Sequence, residues 1–208
     1  WAFFPSAALA WRMSEEDFLK DFEQLSNLKL RISYGTTGND AVDIYGTQSG
    51  ISLKNYDFGG LTVPAYYKDR LANRELSWEK TNEINVGLDF GFFNNRLSGT
   101  VDAFYRKETD ILGARTVTIP NTYGQTLAPE NYAERSWRGG EIALTWMDKA
   151  ANGEIDYSAY VNLGFARDKW DVLDVSATYQ EGGALHALSP VGKADGILTG
   201  LIADHLLT

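Results

Sequence analysis

The sequence predicts an all-β fold, an antiparallel transmembrane β-barrel that is partial: about six strands of a larger barrel, with long extracellular loops. Three observations predict it. Apolar and polar residues alternate with period two over long stretches, the signature of half-buried strands. Short and long connections follow one another in strict alternation, as in barrels with turns on one side of a membrane and loops on the other. Aromatic residues are plentiful (Trp 6, Tyr 11, Phe 10). Tyr34, Phe92, Phe93, Tyr105 and Trp146 sit towards strand ends, where a bilayer interface would hold them.

The elements follow in order. Trp1–Trp11 puts Phe3, Ala7, Leu9 and Trp11 on one face. In Met13–Asn27, Ser14-Glu15-Glu16-Asp17 reads as the capped, acidic start of a short helix with Phe18, Leu19 and Phe22 on one side. Leu28, Leu30, Ile32 and Tyr34 then alternate with Lys29, Arg31 and Ser33. Residues 36–80 form a long connection. Ile84, Val86, Leu88, Phe90 and Phe92 alternate with Glu83, Asn85, Gly87, Asp89 and Gly91 within a strand Thr81–Phe93. Asn94-Asn95 is a two-residue hairpin turn, since asparagine tolerates positive φ. A strand Arg96–Lys107 carries Leu97, Gly99, Val101, Ala103 and Tyr105 on one side. Residues 113–136 are a second long connection. Ile142, Leu144 and Trp146 precede a short turn, Asp148–Glu154, and Ile155–Ala166 alternates again. Everything from Asp168 onward reads as a third long connection.

Composition narrows the function classes. A formal charge of -9 argues against a binder of phosphate backbones, which would show a basic face. Without cysteine there are no disulfides, thiolate zinc sites or cysteine nucleophiles. No apolar run approaches the ~18 residues of a membrane-spanning helix, which leaves strands as the means of crossing. Trp1-Ala2-Phe3-Phe4-Pro5 lacks the basic region of a signal peptide, so the expectation is a mature or partial chain.

Short motifs add little chemistry. Asp57-Phe58-Gly59 and Asp89-Phe90-Gly91 spell the kinase metal-binding triplet, but the Gly-rich loop, strand lysine and catalytic loop of a kinase are missing. His186 and His205 read as solvated loop residues. No G-x-S-x-G elbow occurs, and carboxylates on alternate strand positions are better explained by a wet lumen than by a glycosidase pair. No catalytic residue, cofactor or metal site is expected.

Several stretches together resemble the SusC/RagA group of TonB-linked outer-membrane transporters. Leu28-Lys29-Leu30-Arg31-Ile32-Ser33-Tyr34-Gly35-Thr36-Thr37-Gly38-Asn39 is similar to that group's strand leading into a loop. Leu76-Ser77-Trp78-Glu79-Lys80-Thr81-Asn82-Glu83 resembles its approach to the next strand. Residues 87–97 resemble its hairpin, and Tyr105-Arg106-Lys107-Glu108-Thr109-Asp110-Ile111-Leu112 the end of the strand after it. Glu181-Gly182-Gly183 and Ala203-Asp204-His205-Leu206-Leu207-Thr208 resemble parts of a large loop. The matches keep family order over nearly the whole chain. The resemblance implies an internal part of a barrel of roughly 22 strands with a plugged lumen. It places 1–208 within the barrel domain, without plug, signal peptide or closing strands. It also implies an importer of glycans or oligopeptides in the bacterial outer membrane. The implied partners are a SusD-like surface lipoprotein, the TonB-ExbB-ExbD complex acting through the plug, and membrane lipids.

Within that reading, Ser6, Ser33, Ser98, Thr100, Asp102, Asp156 and Asn162 would line the lumen. Ligand-contact candidates are the loop aromatics Tyr56, Tyr66, Tyr67, Tyr123 and Tyr132, chosen from a wider set that includes Tyr45, Phe58, Trp170 and Tyr179. Aromatic faces stack on sugar rings and cover peptides. Two rivals remain: a soluble β-sandwich binding module, whose apolar faces would meet in a core, and a glycan-active enzyme with converging carboxylates.

Overall fold

The structure is a computed structural model that describes residues 2–42, 45–113, 115, 120–123, 125, 127–150 and 154–198. The described residues contain eight strands: β1 (Ser6–Arg12), β2 (Leu25–Asn39), β3 (Gly50–Phe58), β4 (Leu61–Arg70), β5 (Glu79–Phe92), β6 (Leu97–Gly113), β7 (Glu130–Ala150) and β8 (Ile155–Val172). Six form one sheet in the order β1-β2-β5-β6-β7-β8, and β3 and β4 form a separate pair. The chain divides into two compact units. One comprises Trp1–Thr37, Thr81–Lys107 and Ser136–Asp168, the other Gly38–Lys80, Glu108–Arg135 and Lys169–Thr208.

In the first unit β1 and β2 are antiparallel, with Leu9 opposite Ile32 and Trp11 opposite Leu30. The side-chain contacts of the other pairs descend on one strand as they climb on the next. Arg31 meets Asp89 while Tyr34 meets Asn82. The hairpin partners Arg106 and Glu83 meet across β5 and β6. Lys149 meets Asp156 while Gly164 lies against Glu141 across β7 and β8. Because side chains alternate strictly along a strand, these registers sort the sheet into two faces. One carries Lys29, Arg31, Glu83, Asp89, Asp102, Arg106 and Glu141. The other carries Leu9, Ile32, Ile84, Val86, Val101, Ile142, Leu163 and Phe165.

The apolar face has no cover. Leu9 is 79% exposed and Phe165 71%. The buried apolar residues are Ala128 and Ala133, and no described side chain is completely buried. A β-sandwich hides its apolar strand faces between two sheets; here they stay outside.

The structure differs from the sequence expectations in four places. The helix expected from Ser14 is a 3-10 turn, Met13–Glu15, whose cap position is Arg12 and has no side-chain cap. Only turn bonds follow, such as Leu19 N–H to the Glu16 carbonyl at 2.9 Å. The Glu16 carboxylate instead accepts from the Trp11 indole at 2.9 Å, and Phe18 packs on Trp11. A connection this short does not repay the cost of helix nucleation. Second, the long connection between β2 and β5 contains the β3–β4 hairpin, closed by Gly59 and Gly60 at φ 64° and 84°. Third, strands run further than their alternation showed, β7 beginning at Glu130 inside the expected loop. Fourth, the β5–β6 turn spans four residues, and Phe93, Asn94 and Asn95 all take positive φ (55°, 53°, 61°).

The segment after β8 is described as far as Leu198 and is tied back to the strand. Trp170 N–H bonds the Lys193 carbonyl (3.0 Å), and Gly192 N–H bonds the Trp170 carbonyl (2.7 Å), giving a short parallel bridge from Trp170 to Val191. Arg135 stacks on the Trp170 ring at 4.9 Å and pairs with Asp195 at 3.3 Å. His205 and the stretch 203–208 lie outside the described residues, as do Trp1 and 151–153 of the last short turn.

The β5–β6 turn is tied down by Asn95 N–H to Ser26 Oγ (3.1 Å) and Phe93 N–H to the Gln24 carbonyl (2.9 Å). Asn95→Val should cost about 1–2 kcal/mol, because a β-branched residue resists the left-handed conformation, while Asn94→Gly should be nearly neutral. Urea unfolding of the intact protein in detergent micelles checks both; equal effects would mean that backbone conformation does not govern this turn.

Candidate functional site

The polar strand face is organised around Arg31. Its Nε donates to both carboxylate oxygens of Asp89 (2.9 and 3.0 Å), and its Nη2 reaches both oxygens of Asp102 (3.1 Å each). Lys29 adds a contact to Asp89 at 3.5 Å. The three strands involved are neighbours in the order β2-β5-β6, so Arg31 must cross β5 to reach Asp102. It crosses at Gly87. A Cβ there would lie 2.6 Å from Arg31 Nη2 and 2.7 Å from its Cζ, and would also collide with Asp102. The glycine is therefore a gap that lets one guanidinium serve two carboxylates. Bidentate charge-assisted bonds of this kind are among the strongest polar contacts available to side chains. Arg106 and Glu83 extend the ionic row at 2.7 Å.

Beside this row lies an open depression of about 380 Å³, lined by Thr100, Asp102, Glu141, Ala143, Asn162 and Gly164. Of the residues expected to line a lumen, Thr100, Asp102 and Asn162 thus come together, and Asp156 pairs with Lys149 at 3.3 Å on the same strand face. Ser33 and Ser6 occupy the matching positions of β2 and β1, Ser6 opposite Gly35. Arg31 and Gly87 were legible as polar-face residues but not as a bridge and its gap. That depends on which strand is third in line, and only the sheet order says so. No group of His, Asp or Glu capable of holding a metal ion occurs among the described residues.

In the second unit the segment before β5 forms a polar knot. Glu79 accepts from Asn39 Nδ2 (2.8 Å) and from the Leu112 N–H (2.9 Å). Lys80 meets Asp110 at 2.9 Å. Asn131 donates to the Ser77 and Asp110 carbonyls (2.9 and 2.7 Å) and accepts from the Ser77 N–H (2.8 Å). Asp110 takes a positive φ of 58° within β6. The Leu76-Ser77-Trp78-Glu79 sequence is thus a fastening between strand ends.

The five candidate ligand-contact residues also lie in this unit, on different surfaces. The β3–β4 register opposes Ser52 to Tyr67 and Tyr56 to Val63, which sets Tyr56 and Tyr67 on one face of the hairpin. Tyr66, opposite Leu53, is on the other face and 79% exposed. Tyr123 is half-exposed at the end of a 3-10 turn. Tyr132 on β7 lies under the Arg115 guanidinium, 4.7 Å from the ring centre.

An open antiparallel sheet with one ionic face and one bare apolar face is the wall of a membrane barrel. The family model described as "TonB dependent receptor-like, beta-barrel" matches residues 1–194, and the chain belongs to that family. TonB-dependent receptor P26 of Formosa agariphila is 35% identical over 142 residues, 68% of this chain and 14% of that protein. TonB-dependent receptor SusC of Bacteroides thetaiotaomicron is 35% identical over 141 residues, 64% of this chain and 14% of its own. Among solved structures, the RagAB peptide importer in its open-open state superposes with a TM-score of 0.71 at 29% identity, covering 83% of this chain and 18% of that one. The chain thus spans about a seventh of the length of these curated relatives. The SusC/RagA resemblance read from the motifs is supported by these relatives, and the bacterial outer membrane is the location they share with this chain.

The Arg31 bridge has a testable signature. Asp102→Ala should destabilise the intact barrel by about 1–3 kcal/mol, between an exposed and a buried ion pair. Gly87→Val should cost at least as much by evicting Arg31. The double variant should cost little more than Gly87→Val alone, since both changes remove one contact. Full additivity in micellar urea unfolding would show that Gly87 does not act as the gap.

Proposed function

We propose that this chain is barrel wall and extracellular loop of an active importer of the SusC/RagA type. The single observation that supports this most is the bare apolar face of a sheet whose opposite face is ionic. In water that face would drive aggregation; against lipid it needs no partner. The sheet's outermost strands, β1 and β8, would pair with further wall. Oligopeptide as cargo follows from the likeness to the RagAB peptide importer; glycan follows from the SusC/RagA resemblance. Uptake would be driven by the TonB-ExbB-ExbD complex through a plug, with a SusD-like lipoprotein closing the outer side. The chain's own contribution is positional: the Arg31 row holds wall strands together on the solute side, and the polar knot around Glu79 and Asn131 anchors the outer loops. Tyr56, Tyr66, Tyr67, Tyr123 and Tyr132 are the cargo-contact residues of this proposal, Tyr66 being the most exposed of them.

The test is fractionation of the intact protein expressed with a signal peptide. It should float with outer membranes and run faster on gels unheated than boiled. A soluble product indifferent to heating would end the barrel reading and revive the sandwich. Tyr66→Ala and Tyr67→Ala should each weaken capture of an accepted oligopeptide by about tenfold if they are hot-spot contacts. Unchanged uptake in both variants would remove the hairpin from the cargo path.

A further inference from the structure

At the loop-facing end of the apolar strand face, the alternation runs into arginine. Gly140 and Phe165 are cross-strand neighbours on that face: a Cβ on Gly140 would stand 3.3 Å from the Phe165 ring. The β7–β8 register holds from Lys149 with Asp156 to Glu141 with Gly164. One step further along the same face, it sets Arg138 opposite Arg167. On the β6 side, Gly139 lies against Phe104 and Gly140 against the Asp102 backbone, which brings Tyr105 alongside Arg138.

Two like charges directly opposite on adjacent strands repel each other. Both arginines are exposed, and neither has an ion pair or hydrogen bond among the described residues. Four cations of the polar face, Lys29, Arg31, Arg106 and Lys149, each meet a carboxylate. Within this chain, the strand positions that flank Arg138 on the same face, Tyr105 on β6 and Gly140 on β7, offer it no carboxylate. Towards the short turns, the face next to the arginines carries the exposed apolar side chains Phe165, Leu163 (65% exposed), Ile142 and Val101.

We infer that Arg138 and Arg167 hold the phosphate-bearing headgroup of an anionic lipid in the leaflet next to the long loops. The inference rests on the barrel reading, which makes this face the lipid-contacting one. Acyl chains would lie along Phe165, Leu163, Ile142 and Val101, and the amphipathic Tyr105 ring would sit at headgroup level. A phosphate between the two guanidiniums converts a repulsion into paired charge-assisted bonds, and the planar guanidinium fork matches phosphate oxygens in a way that an ammonium does not.

The experiment uses the intact protein in a non-ionic detergent, with binding read by native mass spectrometry. The probes are bisphosphorylated lipid A, phosphatidylcholine and inorganic phosphate. Lipid A should bind in preference to phosphatidylcholine, and R138Q/R167Q should lose at least about tenfold of that affinity, with R138K/R167K intermediate. Heat-modifiable migration reports folding of each variant. Should the double variant fail to fold, R167Q alone should show the same direction of loss. A folded R138Q/R167Q that binds lipid A as wild type does would overturn the inference. So would inorganic phosphate binding as tightly as lipid A, which would make this a free-anion site. Loss of the barrel reading would show separately, as wild-type protein that neither floats with membranes nor responds to heating.

Discussion

Every residue in these strands must point to one of two sides, and only one side meets water. That constraint organises the molecule. In a soluble domain the apolar side is folded inward against a second layer, and a core results. Here the described residues contain no such core: the buried apolar side chains are two alanines. The apolar residues instead form an exposed band, which is stable only if the surroundings are as apolar as the side chains. Backbone hydrogen bonding must then be met within the sheet itself, which is why the strands are long and β7 reaches 21 residues.

The water-facing side is bound together by charge. Ion pairs across strands do for this face what packing does for a core, and small residues decide how far each pair can reach. Gly87 lets Arg31 span three strands. Gly139 leaves room for the Phe104 ring on the same side. On the apolar side, Gly99 admits Phe90 and Leu144 at 2.7 and 2.8 Å from where its Cβ would stand. Such gaps cost strand propensity locally and are offset by contacts between residues distant in sequence.

The second unit follows a different rule. Its fastenings are amide and carboxylate groups acting on backbone: Asn131 on Ser77 and Asp110, Glu79 on Leu112, Asn73 on the Pro129 carbonyl. These hold loop ends at defined places and leave aromatic side chains such as Tyr66 exposed. A surface of this kind suits contact with a variable ligand, since position is set by backbone and chemistry by what projects from it.

Much of this was determined by the sequence alone. Period-two alternation assigned Leu30, Ile84, Val101 and Leu163 to one side and Arg31, Asp89 and Asp102 to the other, because the pleat leaves no third choice. Asn94-Asn95 marked a turn because few residues accept positive φ. The β3–β4 hairpin has its own signal, Gly59-Gly60 between short apolar stretches, but the alternation around it is too weak to mark strands. The run from Ser14 looked helical by its cap and periodicity, yet Trp11 claims the Glu16 side chain. Tertiary structure alone decided which residues meet across strands: that Arg31 reaches Asp102 over Gly87, that Arg135 and Asp195 clamp Trp170, and that Arg138 faces Arg167. Periodicity is a local property of the chain, whereas register and strand order join residues up to 71 positions apart, and no local pattern encodes which strand becomes the neighbour.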